Sequence, residues 1–389
     1  MDIPTEIYQL ILNQSDFLTQ IRIRCVSKVL YTKLEIRDFY SIDNKYLELL
    51  SDDILRSYPF ITRLDASSNT KIMDLNYLTR LEILDVTSRI TFTRGLDSIT
   101  STKITCKNIG DQAISNLNLR SLNARDNTNI TDVSHMTRLE ILIADNRCGI
   151  NDHGIRGLKL KKLYVSTNSK ITNVNHLTRL EILYADNNSG IGDNGITDLN
   201  LRKLHVAYNR KITNVSHMTN LKELSAQDHC GIDDTGIQNL TKMKNLGVGD
   251  NKKITNVNHM TRLKTLSAFG HSGLNDKSIA NLNLKTLYVG DNPHITNLNH
   301  MTRLETLNAT GAACGIGDTG IQKLNLRTLI AHDNYIISNV THMNRLEILI
   351  AAGRCGIDDV GIAGLNIKEL ISYNNLRITS RNPLFPQKN

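Results

Sequence analysis

The sequence predicts an α/β solenoid of short, stacked parallel strands with a small all-α module at its amino end, and three observations predict it. Leucines inside a recurring Leu-x-x-Leu fall at Leu122, Leu142, Leu163, Leu183, Leu204, Leu224, Leu246, Leu266, Leu287, Leu307, Leu329, Leu349 and Leu370, in steps of 20 to 22 residues. Two kinds of unit alternate along that series, so the true period is a super-repeat of 41 or 42 residues. The first sixty residues carry no such repeat and show helical spacing instead.

The amino-terminal element comes first. Ile7, Leu10 and Ile11 have the spacing of one helix face, Pro4 stands where a first helical turn tolerates proline, and Ser15-Asp16 is placed to cap a second helix. This predicts three short helices before residue 45. Here the residues resemble an F-box, a three-helix module that docks on a Skp1-type adaptor of cullin ubiquitin ligases. Ile3-Pro4 with Glu6-Ile7 follows its Leu-Pro-x-Glu-Leu opening, Ile11 follows its next apolar position, and Ile21, Ile23 and Val26-Ser27 follow the later ones. Leu30 stands where that family has tryptophan and Gln20 where it has leucine. The resemblance implies that Ile3, Pro4, Ile7, Ile11, Ile21 and Val26 contact the adaptor. The other reading of the same segment is a helical cap over the first coil, which every solenoid needs.

Residues 46–60 read as a linker or amino-terminal cap, residues 61–375 as the repeats, and 376–389 as a tail. One repeat unit runs through a polar turn, as in Leu163-Tyr164-Val165-Ser166-Thr167-Asn168; the other carries Gly-Ile-x-Asp-x-Gly-Ile, as at Gly231 to Ile237. Each opens on apolar residues alternating with variable ones, the period of a strand, and no unit can bury its leucines alone. Stacking at about 4.8 Å joins them into one core. These units resemble leucine-rich repeats (LRRs), which implies a horseshoe with short parallel strands on its concave face. In that family a turn asparagine satisfies backbone groups of neighbouring coils, and its place is taken here by Asn69, Asn127, Asn168, Asn209, Asn251, Asn292 and Asn334. Cys148, Cys230, Cys314 and Cys355 share a position with Ser189 and Ser272, which speaks for packing rather than thiol chemistry. Between Asp85 and Leu119 the pattern lapses, with Lys103-Ile104-Thr105-Cys106 as its one clear strand, and a degenerate coil is expected.

Several side-chain columns invite chemistry. His135, His176, His217, His259, His300 and His342 recur once per super-repeat, but members two coils apart stand roughly 9–10 Å from each other and cannot share one metal ion. They read as turn residues bonding backbone. Asp152, Asp193, Asp234, Asp276, Asp318 and Asp359 read as caps of short helical turns or closers of tight loops, with too few oxygens per loop for calcium. Arg80, Arg138, Arg179, Arg262, Arg303 and Arg345 form a basic column on a solvated edge. No metal and no cofactor is expected, and no GxxxxGK[ST], GxGxxG after a strand, HExxH or GxSxG occurs.

With 40% hydrophobic and 22% charged residues the chain is globular rather than collagen-like or disordered. Its net charge of +8 is spread along the sequence, which argues against nucleic acid as a partner, and no run reaches the roughly 18 apolar residues of a membrane span. The six cysteines are far apart, without CxxC. The opening residues lack the basic and apolar blocks of a signal peptide, so the expectation is cytoplasmic. On the strand face, Tyr164, Tyr184 and His205 follow one another in consecutive coils, with Phe269 and Tyr288 further on, and these are the candidate partner-binding residues. An F-box followed by LRRs is the layout of F-box/LRR substrate receptors, and the Asn-, Ile- and Lys-rich repeats are similar to those of giant amoebal viruses, which would place the chain in a host cytoplasm. The expected function is a non-enzymatic adaptor that recruits a target protein to a Skp1-cullin ligase. An LRR interaction scaffold with a helical cap and no ubiquitin role is the alternative, and a secreted adhesin like bacterial internalins ranks third because no leader is seen.

Overall fold

The computed structural model describes residues 8–379, apart from 10–11, 14, 16, 28–29, 31–32, 41–42, 89, 95–98 and 104–108. The chain divides into two compact units, Met1–Leu199 and Asn200–Asn389. Both are parallel β-solenoids of the leucine-rich-repeat kind.

The first unit opens with helix α1 (Phe17–Cys25), then strand β1 (Asp38–Phe39), short helices α2 (Asn44–Leu47) and α3 (Asp52–Arg56), and strand β2 (Arg63–Asp65). Helical residues also occur at 8–9, 12–13, 30 and 33 among the described residues before 45. The segment packs into the array rather than standing off it. Leu12, Leu34, Ile36 and Phe39 are buried, the Gln9 amide exchanges two hydrogen bonds with the backbone of Glu35, and β1 pairs with β2 in parallel, Phe39 beside Leu64. Ser51 caps α3 by accepting from the Ile54 N–H.

From β2 the ladder continues through β3 (Ile83–Asp85), β6 (Ser121–Asn123), β7 (Ile141–Ile143), β8 (Lys162–Tyr164) and β9 (Ile182–Tyr184), all parallel. Leu64, Leu84, Leu122, Leu142, Leu163 and Leu183 face one another in register and are buried, each contributing roughly 1.5–3 kcal/mol. The second unit repeats this from β10 (Lys203–His205) to β18 (Glu369–Ile371), with β11 to β18 centred on Leu224, Leu246, Leu266, Leu287, Leu307, Leu329, Leu349 and Leu370.

The strands stop at three residues for a local reason. Three residues past most of the ladder strands the backbone enters the left-handed region, at φ 63° in Thr167 and 55° in Asp250, and turns the chain away from the sheet.

The stretch from Asp85 to Leu119 corrects the sequence expectation of a degenerate coil with one strand. It carries an antiparallel hairpin, β4 (Ile90–Arg94) with β5 (Ile99–Lys103), while β3 pairs directly with β6. The ladder is therefore uninterrupted, and the extra residues leave it as an excursion from one coil. Of the expected strand Lys103 to Cys106, Lys103 ends β5 and the rest lies outside the described residues. The coil is regular again by the 3-10 turn Asp111–Ile114, where Ile114, Leu117 and Leu119 are buried.

Opposite the strands the coils approach closely at a column held mostly by glycine, with Ala113 in one coil of the first unit. A methyl group on Gly154 would stand 2.1 Å from Thr131 O, on Gly236 2.3 Å from Thr213 O, and on Gly320 2.0 Å from Thr296 O. Ser278 occupies this column in one coil, where its Oγ donates to Thr255 O at 2.6 Å. There the Val257 N–H to Ser278 O bond is 3.2 Å, against 2.9 Å for Leu298 to Gly320 in the next super-repeat.

Candidate functional site

Separating what the coils need from what they do not isolates the surface left for a partner. The asparagine column belongs to the first kind. In the first unit Asn69 Nδ2 donates to Leu47 O and Leu50 O at 2.7 and 3.0 Å while its Oδ1 accepts from Lys71 and Ile72. Asn127 donates to Val86 O and Ile109 O, and Asn168 to Ala144 O and Ile150 O. In the second unit Asn251 donates to Ala226 O and Ile232 O, Asn292 to Ala268 O, and Asn334 to Ala309 O and Ile316 O. Asn209 accepts from the Lys211 N–H at 2.9 Å. All are buried, where an unmatched backbone group costs about 1–3 kcal/mol. Asn375, absent from the sequence-derived column, makes the same bonds to Ala351 O and Ile357 O at 2.8 and 3.0 Å. Its signal was present in Tyr373-Asn374-Asn375, after the last strand leucine.

Histidines of the first unit bond backbone through Nε2, His135 to Ile114 O and His176 to Ile155 O, and those of the second bond likewise, His259 to Ile237 O, His300 to Ile279 O and His342 to Ile321 O. The aspartates act differently from the sequence reading. Asp152 does not cap its own turn. Its carboxylate accepts from the Thr172 N–H and hydroxyl at 2.7 and 2.6 Å and from the Asn173 N–H at 3.1 Å, one coil further on. Asp234, Asp276 and Asp318 hold Thr255, Thr296 and Ser338 in the same way, and Asp111 holds Thr131. Capping falls to the residue before: Asn151, Asp233 and Asn275 accept from the N–H groups of the following turn. Burial pushes the Cys148 thiol up to about 12 and the Cys314 thiol up to about 11, which leaves both uncharged and unreactive at neutral pH.

The strand face is the second kind of surface, because its outward residues are not required by the coil. In the first unit Tyr164 and Tyr184 stack, ring centroids 4.7 Å apart with planes at 18°. In the second, His205 Nε2 lies 3.2 Å from Glu223 Oε1, and Lys203 Nζ lies 2.6 Å from the same oxygen. Burial opposes ionisation of Glu223, yet hydrogen bonds from Lys203 and His205 prevail and hold its carboxyl below the usual range. Further along, Phe269 and Tyr288 border a groove of about 610 Å³ together with Gly270, Gly290, Asp250 and Asp291. Glycines in the neighbouring coils make it. A methyl group on Gly249 would stand 2.4 Å from Phe269 Cε1, so the ring lies against bare backbone. Tyr288 is 37% exposed, an amphipathic ring at the groove's edge.

At the amino end, Ile21 is half-buried and Val26 is 75% exposed; Ile3, Pro4, Ile7 and Ile11 lie outside the described residues. Among the described residues no three His, Cys, Asp or Glu gather as metal ligands, and no helix is long and apolar enough to cross a membrane.

No family model matches the chain, and no curated protein sequence matches it. Among solved structures it is similar to an internalin (inlF) from Listeria monocytogenes, at 20% identity and a TM-score of 0.43 over 88% of this chain and 86% of that one. It is also similar to the functional domain of InlJ from the same organism, described as including a cysteine ladder, at 18% identity and a TM-score of 0.41 over 77% and 60%. A third, the yeast Rad7 and Elc1 complex, matches at 16% identity and a TM-score of 0.40 over 88% of this chain and 92% of the matched one.

Proposed function

We propose that this leucine-rich-repeat solenoid is a non-catalytic protein-binding receptor that holds a target on its strand face and, through its F-box-like opening, presents it to a Skp1-type adaptor of a cullin ubiquitin ligase. The observation that carries the binding role is the groove bordered by Phe269 and Tyr288, where glycines let aromatic rings stand over bare backbone on a face the coils do not otherwise use. Rigid aromatics of this kind are favoured anchors at protein interfaces. Tyr164 and Tyr184 in the first unit, and His205 in the second, are further candidate target contacts. The adaptor role rests on the match of Ile3, Pro4, Ile7, Ile11, Ile21 and Val26 to the F-box pattern; Val26, at 75% exposure, is available to a partner. Residues 1–45 would then be the docking module, 46–60 the connection, 61–375 the receptor and 376–389 a tail.

A second reading has its own observation. Leu34, Ile36 and Phe39 are buried, and the Leu47 and Leu50 carbonyls receive the Asn69 amide, as a cap over the first coil requires. The two readings separate in a pulldown of purified Skp1-type adaptor by the full chain. Binding that disappears on Pro4→Ala with Ile7→Ala, in a chain of unchanged circular dichroism, supports the ligase role. No binding at micromolar concentration by the folded chain leaves a scaffold with a cap. Once a target is known, Tyr164→Ala with Tyr184→Ala, or Phe269→Ala with Tyr288→Ala, should abolish its capture without unfolding the array, and unchanged capture by both pairs would reject the strand face.

A further inference from the structure

A repeat array exposes its binding chemistry as departures from its own pattern. Two residues before each strand leucine runs a column whose members are tied coil to coil by backbone hydrogen bonds. In the first unit it reads Glu82, Arg120, Glu140, Lys161 and Glu181, acid and base in turn, with Arg120 to Glu82 at 4.0 Å and Lys161 to Glu140 at 3.1 Å. The far part of the second unit alternates likewise, Glu305, Arg327, Glu347 and Lys368, with ion pairs of 3.7 and 3.2 Å to Glu347. Between them the alternation fails. Where the other Gly-Ile units are preceded by Arg-Leu-Glu, these two are preceded by Asn220-Leu221-Lys222 and Arg262-Leu263-Lys264, on either side of Lys244.

The result is a run of like charges in register. The Lys244 N–H donates to Lys222 O, Lys264 to Lys244 O and Lys285 to Lys264 O, each at 2.8 Å, and all four side chains are exposed. Lys285 reaches Glu305 at 3.6 Å; among the described residues Lys222, Lys244 and Lys264 take part in no ion pair. Cations at successive rungs, about 4.8 Å apart, repel one another. The same coils carry the other departures, Gly247, Gly249 and Gly290 on the strand face and the aromatic rings of Phe269 and Tyr288.

We propose that the lysine column Lys222, Lys244 and Lys264 is a docking ledge for an acidic segment of the partner protein, laid across the coils beside the aromatic groove. This rests on the reading of the strand face as the target site and adds the partner's chemistry. A protein segment fits better than a nucleic acid because the opposite ends of these strands carry Asp228, Asp250 and Asp291. A phosphate backbone crossing the face would meet those carboxylates, whereas a polypeptide places its own acids along one edge only. Asp250 and Asp291 are otherwise engaged, accepting from the backbone of His271 and Ala313 in the next coil.

The test is Lys222→Glu with Lys264→Glu, which writes into these two units the residue their neighbours already have. Fluorescence anisotropy of the full chain with a labelled oligoglutamate should show binding that weakens with salt, and the double variant should bind about tenfold more weakly or worse, the loss of several exposed charge contacts. Its melting temperature should rise, because Lys244 then stands between two carboxylates. Equal peptide binding by the variant overturns the proposal, as does a lower melting temperature, which denies the repulsion, or tighter binding of an oligothymidylate of equal charge. Peptide binding unaffected by the lysine variant, with target capture lost on Phe269→Ala and Tyr288→Ala, would reject the ledge and leave the target face standing. Peptide binding lost in the lysine variant, with target capture indifferent to the aromatic pair, would do the reverse.

Discussion

Replacing Asn168 by alanine removes three hydrogen bonds at once from a fully buried position. Its Nδ2 donates to Ala144 O at 2.8 Å and Ile150 O at 3.2 Å, and its Oδ1 accepts from the Lys170 N–H at 2.9 Å. Alanine leaves two carbonyls and one N–H without these partners, and at about 1–3 kcal/mol for each such group the loss should come to about 4 kcal/mol, allowing for partial relaxation. The exposed Asn173, whose Oδ1 accepts a single bond from Asn175, serves as the control; its alanine variant should lose under about 1 kcal/mol. Urea unfolding followed by circular dichroism reads the loss. Repeat arrays need not unfold in one step, so hydrogen exchange should also be followed at amides of the two coils that Asn168 joins. Exchange quickened there and not in distant coils is the expected pattern. A stability within about 0.5 kcal/mol of the parent, with unchanged exchange, would refute the view that this amide holds neighbouring coils together.

Gly320→Ala should destabilise by about 1–3 kcal/mol in urea unfolding, because its methyl would meet Thr296 O, whereas Gly320→Ser should lose less, since Ser278 shows a hydroxyl turning the same collision into a hydrogen bond. Site-mapped alkylation at mildly alkaline pH should label the exposed Cys25 well before the buried Cys148, Cys230, Cys314 and Cys355, and equal rates would contradict the packing of these thiols. Glu223 has a depressed folded pKa, so its contribution is present above its unfolded value and is lost as pH falls through the folded one. Glu223→Gln should therefore flatten the decline of stability on acidification, and parallel pH profiles for variant and parent would deny that Lys203 and His205 stabilise the charge.

The leucine period was enough to place the parallel ladder, because every member is buried by the same neighbour-to-neighbour contact and so repeats in the sequence as it does in space. The hairpin at Ile90 to Lys103 was passed over although Ile-Thr-Phe-Thr and Ile-Thr-Ser-Thr are β-branched strand text. Residues that leave the ladder carry no leucine in register, so the leucine period says nothing of them. The aspartates failed for another reason. An acid beside a short helical turn is the local signature of a cap, and Asp152 satisfies it, yet the partner that takes its carboxylate, Thr172, is a coil away. Local text cannot rank a local bond against one across the stack. The groove was legible in part. Phe269 and Tyr288 stood out in a chain poor in aromatics, but that Gly249 gives the Phe269 ring its seat depends on which residues adjacent coils bring side by side.

Bonds that run from coil to coil explain why two unit types alternate. The polar unit supplies the asparagine that bonds back into the preceding coil, and the Gly-Ile unit supplies the aspartate that bonds forward into the next, as Asn168 reaches Ala144 and Ile150 while Asp152 reaches Thr172. The two ladders lie at different turns of the coil, so each junction between a Gly-Ile unit and the polar unit after it is pinned at two points. The close glycine contact, Gly154 against Thr131 O, occurs at the other junction, where a different, exposed asparagine bonds forward in several coils, as Asn175 does to Asn194 O and the Asp198 N–H. There the coils are joined by backbone hydrogen bonds at the close approach, as the Val133 N–H donates to Gly154 O at 3.0 Å and the Gly149 N–H to Asn127 O at 2.8 Å. A single repeated unit would need both devices in every coil. Dividing them between two units frees the outward strand positions of both, and it is on those positions that Phe269, Tyr288 and the stacked Tyr164 and Tyr184 stand.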